Sequence, residues 1–279
     1  MTLGDRSDLS PTVKTTYTQA GASHILALSG MHLTIIFFII NLLMNWRKAE
    51  LISQAIIVTT LWAYALLVGL SPSVTRSAFM ISVYALLSVG YRDSAPINTL
   101  SFTAIVMLII NPLALYDVSF QLSYVAVCAI LLGNCLFKKV IPIEWLMNHR
   151  IVKWIWGITL VSLAAQIGTA PLVAYHFGVF NPCALLANFF LIPLATLTII
   201  LTILALTTIW FPWLSDLFVM ALSFVVKTMN HLLQLVTEIP YSHLNFEPFS
   251  VILTLFIYIL MGIAFILSIK YLKMHCIIK

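Results

Sequence analysis

The chain has 279 residues, of which 62% are hydrophobic and 8% charged, with a net charge of +5. A soluble globular domain carries roughly 25% charged residues, and a mean hydropathy of +1.06 leaves too few ionic groups to wet a 31.2 kDa globule. Composition therefore excludes a soluble enzyme domain, a disordered tail, a coiled coil and a collagen-like chain. What remains is a polytopic membrane protein. At about 20 residues per crossing the length accommodates about nine spans with short loops. The expected fold is all-α, a helical bundle of about eight to nine transmembrane helices, two of them interrupted by proline.

Residues 1–23 are polar and turn-rich and are read as an extracytoplasmic segment; residues 24–279 form the membrane domain. The polar start lacks the apolar core of a signal peptide, so the first hydrophobic run must itself direct insertion. Val13 to Ala22 has the length of a short interfacial helix. The apolar runs follow at about 24–45, 52–70, 73–90, 97–111, 117–136, 152–177, 183–210, 213–236 and 249–269. Ser71-Pro72-Ser73 stops one run and starts the next. The fourth run is short for a span and fits either a tilted or a re-entrant segment. Pro171 and Pro193 lie inside the sixth and seventh runs. Each removes a backbone donor beside polar residues, as in the broken helices that line transporter paths.

The cations fall on alternate connections. Arg47 and Lys48, then Arg92, then Lys138, Lys139, Arg150 and Lys153, and finally Lys270, Lys273 and Lys279 share one side. The connections near 71–74, 112–116, 178–182 and 237–248 contain no Lys or Arg. By the positive-inside rule the N-terminus lies outside and the C-terminus in the cytoplasm.

Polar groups in apolar runs usually face a bundle interior or an aqueous path. The first run opens with His24, Ser29, Gly30 and His32. His24 and His32 lie about 80° apart on a helix, and Ser29 and His32 about 60°. Arg76, at the start of the third run, goes against the cation pattern. It either snorkels to the outer interface or lines a path for an anion. In the fifth run, Ser119 and Ser123 share one face, while Gln121 is costly enough to bury that a specific hydrogen bond is expected. Gln166, Thr169 and His176 share a stripe of the sixth run, and Asn188 precedes Pro193 in the seventh. The eighth run carries Asp216, Ser223, Lys227, His231, Gln234 and Glu238 at helical spacing, so it either lies in the interface or lines an aqueous cavity.

Catalytic signals are weak. Leu28-Ser29-Gly30 near histidines supplies neither the geometry of a Ser–His dyad nor an oxyanion hole. His24 and His32 lack a third metal ligand at a usual spacing, the four cysteines form no CxxC, and no Walker A motif occurs. No enzyme activity, metal or cofactor is expected.

Several of these pieces stand in a familiar order: Gly4-Asp5-Arg6; Gly21 to His32, including His24, Ser29 and Gly30; Pro72 to Ala78 with Arg76; Phe120-Gln121-Leu122-Ser123 to Ala126; Ala170-Pro171-Leu172; and Asn188 to Pro193. Together they resemble the transmembrane competence domain of the ComEC-type DNA-uptake channels of bacteria, over about residues 4–194. The resemblance implies passage of single-stranded DNA across the cytoplasmic membrane during natural transformation. It implies a cytoplasmic DNA translocase and extracytoplasmic DNA-binding competence proteins as partners, and it leaves assembly as a homo-oligomer open. Fuller members carry an extracellular OB-like domain and often a metallo-β-lactamase-like domain. This sequence contains no HxHxDH-type motif, so the nuclease activity proposed for that domain is not carried over. On this reading His24, Ser29, Gly30 and His32 shape the outer path, and Arg76 meets phosphate. Gln121, Ser123, Gln166, Asn188 and Lys227 line the path, and Pro171 and Pro193 open the backbone. A secondary transporter for a small solute, and a remnant of the DNA channel without function, are the alternatives.

Overall fold

The computed structural model describes residues 10–26, 30–43, 50–90, 96–137, 149–240, 242 and 244–271. It is helical almost throughout, and the described chain divides into two compact units.

The first unit comprises Met1–Tyr91 and Asn181–His243. Helix α1 (Pro11–Gln19) begins two residues before and ends three before the expected Val13 to Ala22: Ser10 Oγ accepts from the Val13 amide at 3.4 Å, and Pro11 occupies the first turn, where its missing N–H costs nothing. A turn at Gly21, with φ of +72°, leads into the short α2 (Ser23–Leu26). A Cβ at Gly21 would meet Ala184 at 2.8 Å, so the turn needs glycine for both conformation and space. Helix α3 (Gly30–Leu43), α4 (Glu50–Leu67) and α5 (Pro72–Gly90) follow. They pack around Leu33, Ile57, Leu61, Ala65, Val74 and Ala78, and Trp62 Nε1 donates to Ser82 Oγ at 3.1 Å between α4 and α5. After the second unit the chain returns as α9 (Ala184–Thr207) and α10 (Pro212–Thr237). Their core, with α1 and α2, is built from Tyr17, Ile25, Leu191, Met229, Leu233 and small alanines.

The second unit comprises Arg92–Phe180 and Leu244–Lys279. It holds α6 (Pro96–Ile110), a 3-10 turn (Pro112–Tyr116), α7 (Val118–Phe137), α8 (Arg150–Phe177) and α11 (Val251–Tyr271). Asp117 Oδ1 accepts from the Ser119 amide at 2.9 Å and starts α7. Helix α8 ends on Gly178, whose φ of +61° closes a left-handed cap. The two-residue strands β1 (Val179–Phe180) and β2 (Leu244–Asn245) then pair antiparallel. A Cβ at Gly178 would lie 2.5 Å from the Phe246 carbonyl, so glycine is what lets this ladder approach the helix end.

Length and composition make α8, α9, α10 and α11 long and apolar enough to cross a membrane, and shorter apolar stretches lie in α3, α4, α6 and α7. Leu, Ile, Phe and Trp side chains cover their outward faces, as in Phe38, Leu67, Ile109, Phe224, Ile252 and Leu267. In water such a surface would aggregate, whereas in lipid it is solvated. The protein is a multi-pass helical membrane protein. The 15-residue α6 spans about 22 Å, short of the roughly 30 Å hydrocarbon core. The first apolar run is not one described helix: α2 and α3 lie on either side of residues 27–29, and Ser29 lies outside the described residues. Pro171 and Pro193 both sit within helices that continue on either side of them.

Candidate functional site

The site residues expected from sequence divide between the units. His24, Gly30, His32, Arg76, Asn188, Pro193 and Lys227 belong to the first, and Gln121, Ser123, Gln166 and Pro171 to the second.

In the first unit, α3 begins against α5. A Cβ on Gly30 would stand 2.6 Å from Ser77 Oγ, so a larger residue here would force the Ser77 hydroxyl to move. Each of these two helices also carries a buried ionisable residue close in sequence, His32 on α3 and Arg76 on α5. His32 is 3% exposed and Arg76 4% exposed. Arg76 therefore does not snorkel. Its guanidinium is held inside the bundle, where it engages other groups while Nε is buried without a hydrogen bond. An arginine cannot shed its proton to escape burial, so this position keeps a full positive charge within an apolar helix packing. His24 lies on α2 with its side chain exposed. On α9, Asn188 is half-buried and its Oδ1 is buried without a hydrogen bond, five residues before the half-buried Pro193. Helix α10 is amphipathic in three dimensions. Val225, Met229, Leu233 and Val236 face the core, while Asp216, Ser223, Lys227, His231, Gln234 and Glu238 are exposed on the opposite side.

In the second unit Gln121 makes the specific contacts that its burial called for. Its Nε2 donates to the Leu115 carbonyl at 2.8 Å, and its Oε1 lies 2.9 Å from His176 Nε2. With Oε1 as acceptor, the His176 proton must be on Nε2. The pair ties the start of α7 to the last turn of α8. His176, placed on the polar stripe of the sixth run but not among the expected site residues, is thus the partner that the sequence left unidentified. Ser123 Oγ donates to the Phe120 carbonyl of its own helix at 3.0 Å, and Gln166 is half-buried with polar contacts. Pro171 is buried; it deprives the Ile167 carbonyl of its helical donor, and one residue on, the Gly168 carbonyl accepts from Tyr258 Oη of α11 at 2.8 Å. Replacing Gln121 by Leu is expected to cost about 1–3 kcal/mol of stability, because it strands a half-buried imidazole and the Leu115 carbonyl. Thermal unfolding in detergent, compared with a His176→Phe, Gln121→Leu double variant, measures this; the double variant should lose less than the two single losses combined.

Segments expected on one side meet one another: Thr18 O accepts from Asn181 Nδ2 at 3.3 Å, Tyr17 Oη donates to Asn230 Oδ1 at 2.9 Å near the end of α10, and the Gly178 carbonyl accepts from the Phe246 amide at 2.9 Å. Among the described residues no group of His, Cys, Asp and Glu is arranged to hold a metal.

A multi-pass helical membrane protein with a buried cation among its helices is the class that fold and site define. The Competence protein family matches residues 1–270, and the chain belongs to that family. It is 31% identical over 206 residues to ComE operon protein 3 of Bacillus subtilis, covering 72% of this chain and 24% of the relative. It is 30% identical over 205 residues to an uncharacterized protein of Aquifex aeolicus, 74% of this chain and 46% of that one. An uncharacterized protein of Mycoplasma pneumoniae is 26% identical over 180 residues, 63% of this chain and 46% of the relative. The chain thus spans between a quarter and a half of the length of these relatives. No solved structure matches it.

Proposed function

We propose that the chain is a membrane channel subunit for single-stranded DNA, carrying the strand across the bacterial cytoplasmic membrane during natural transformation. The observation that carries the reading is Arg76, a fixed positive charge buried within apolar helices in a member of the Competence family. The guanidinium engages other groups within the bundle, and because arginine stays ionised it keeps a positive potential there that favours a polyanion. The side assignment supports an outer N-terminus and a cytoplasmic C-terminus. The chain contributes no chemistry in this reading. A cytoplasmic DNA translocase supplies the work, and extracytoplasmic DNA-binding competence proteins deliver the strand. The exposed polar face of α10 and the half-buried Asn188 are the groups that serve a hydrated path.

The test replaces the matching region of ComE operon protein 3 with this chain, in a transformable host that lacks its own copy. Labelled DNA is followed into the cytoplasm, with membrane insertion checked in parallel. Restored internalisation is the expected result. A chimera that inserts normally but admits no DNA would overturn the channel reading. Flux of a small solute without DNA would replace it with a transporter.

A further inference from the structure

We infer that the start of α8 and the end of α11 form a docking site for an anionic phospholipid of the cytoplasmic leaflet, with the lipid phosphate at Lys153 and Lys270. The inference stands apart from the channel reading. Both helices belong to the second unit.

Two bonds hold the helices together. The Ala174 carbonyl accepts from the Phe249 amide at 3.2 Å, and the Gly168 carbonyl accepts from Tyr258 Oη at 2.8 Å. These contacts advance along α11 as they retreat along α8, so the two helices run antiparallel. The start of α8 therefore lies toward the same membrane face as the end of α11. At 1.5 Å per residue, Lys153 stands about 22 Å along the axis from Gly168, and Lys270 about 18 Å from Tyr258. The two lysines thus lie within about one helical turn of the same depth. Both are exposed, and the cation pattern puts both on the cytoplasmic side.

No Asp or Glu occurs in the sequence of either helix, so neither offers the lysines an acidic partner. Beside them, Trp154 and Tyr271 are exposed. Amphipathic rings of this kind sit at headgroup depth. Deeper in the membrane the outward surface is hydrocarbon: Val161 on α8, and Ile259, Ile263, Ile266 and Leu267 on α11, are exposed. A Cβ on Gly157 or on Gly262 would meet nothing within 4 Å, so each helix has an open stretch between its lysine and the Tyr258–Gly168 bond. An occupant must be anionic at one end and apolar along the rest. A DNA strand is polar throughout and would find only the lysines. A phospholipid matches both parts, and basic sites between helices on this side of a membrane bind anionic headgroups.

The experiment uses the full chain in zwitterionic detergent, titrated with phosphatidylglycerol or with phosphatidylcholine of the same acyl chains. Bound lipid per chain is read by native mass spectrometry. Phosphatidylglycerol is expected to bind about thirtyfold more tightly, the sum of two lysine contacts. Lys153→Gln with Lys270→Gln removes two exposed charges and should bring the two affinities close together. Lys14→Gln with Lys227→Gln removes the same net charge elsewhere and should leave the preference intact. Equal binding of the two lipids to the unaltered chain, or the same loss in both double variants, would overturn the site and leave only diffuse attraction to positive charge. Displacement of phosphatidylglycerol by a single-stranded oligonucleotide whose own binding needs Lys153 and Lys270 would overturn the lipid as occupant and assign the lysines to the strand.

Discussion

Arg76→Glu is expected to abolish DNA uptake in the chimera, with a loss of at least about 100-fold. Two effects act in the same direction. The side chain is 4% exposed, so a carboxylate would replace a buried guanidinium. It would also set a negative charge where a polyanion must pass, and like charges at close range in a medium of low dielectric repel strongly. Truncating one member of a buried charged network typically costs 3–5 kcal/mol, so uptake must be scored per molecule inserted in the membrane. Arg76→Lys separates stability from function. It keeps the charge but loses the planar fork of donors; uptake between the two extremes is expected. Normal uptake by an inserted Arg76→Glu protein would take Arg76 out of the path.

Gly168→Val is expected to have the largest effect on stability in the second unit. A Cβ at Gly168 collides with the Ala129 Cβ across the α7–α8 contact, and the Val125 carbonyl stands 3.6 Å away. Neither alanine nor the helix backbone can retreat as a long side chain would. Overpacking of this kind costs typically 1–3 kcal/mol, and here it would also disturb the bond from Tyr258 Oη to the Gly168 carbonyl beside Pro171. Gly168→Ala should destabilise less, and Ala129→Gly should recover most of that loss, because it returns the volume on the opposite helix. Unfolding of the single and paired variants in detergent gives the comparison. If Gly168→Val leaves the midpoint unchanged, the close crossing is not what holds α7 to α8.

Much of the candidate site could be read from sequence because burial of polar groups in lipid is expensive. A glutamine among Phe120, Leu122 and Tyr124 has to find a partner, and that cost marks Gln121 without any structure. It does not say that the partner is His176, 55 residues away. Both residues lie on helical stripes whose rotation about their axes is set by packing. Gly168 was missed for a related reason. A glycine inside an apolar run reads as a mild helix weakener, although its spacing of four from Ala164 was a signal for close helix approach. The same holds for Gly30, whose need for contact with Ser77 emerges only when α3 and α5 are set side by side.

Sequence by itself determined that the chain is a helical membrane protein, and closely where several helices begin and end. Mean hydropathy sets the solvent, about 20 residues set the span, and Ser71-Pro72-Ser73 ends one helix and starts the next. It also marked Arg76 as anomalous, since the distribution of Lys and Arg along the chain is one-dimensional information. Only the tertiary structure decided that Arg76 is enclosed rather than snorkelling, that the polar stripe of α10 lies opposite its core face, and that α1 docks on Asn230 through Tyr17. These depend on which helix faces meet. In an apolar chain nearly every face is hydrophobic, so the choice is made by shape, small residues and a few hydrogen bonds between residues far apart in sequence.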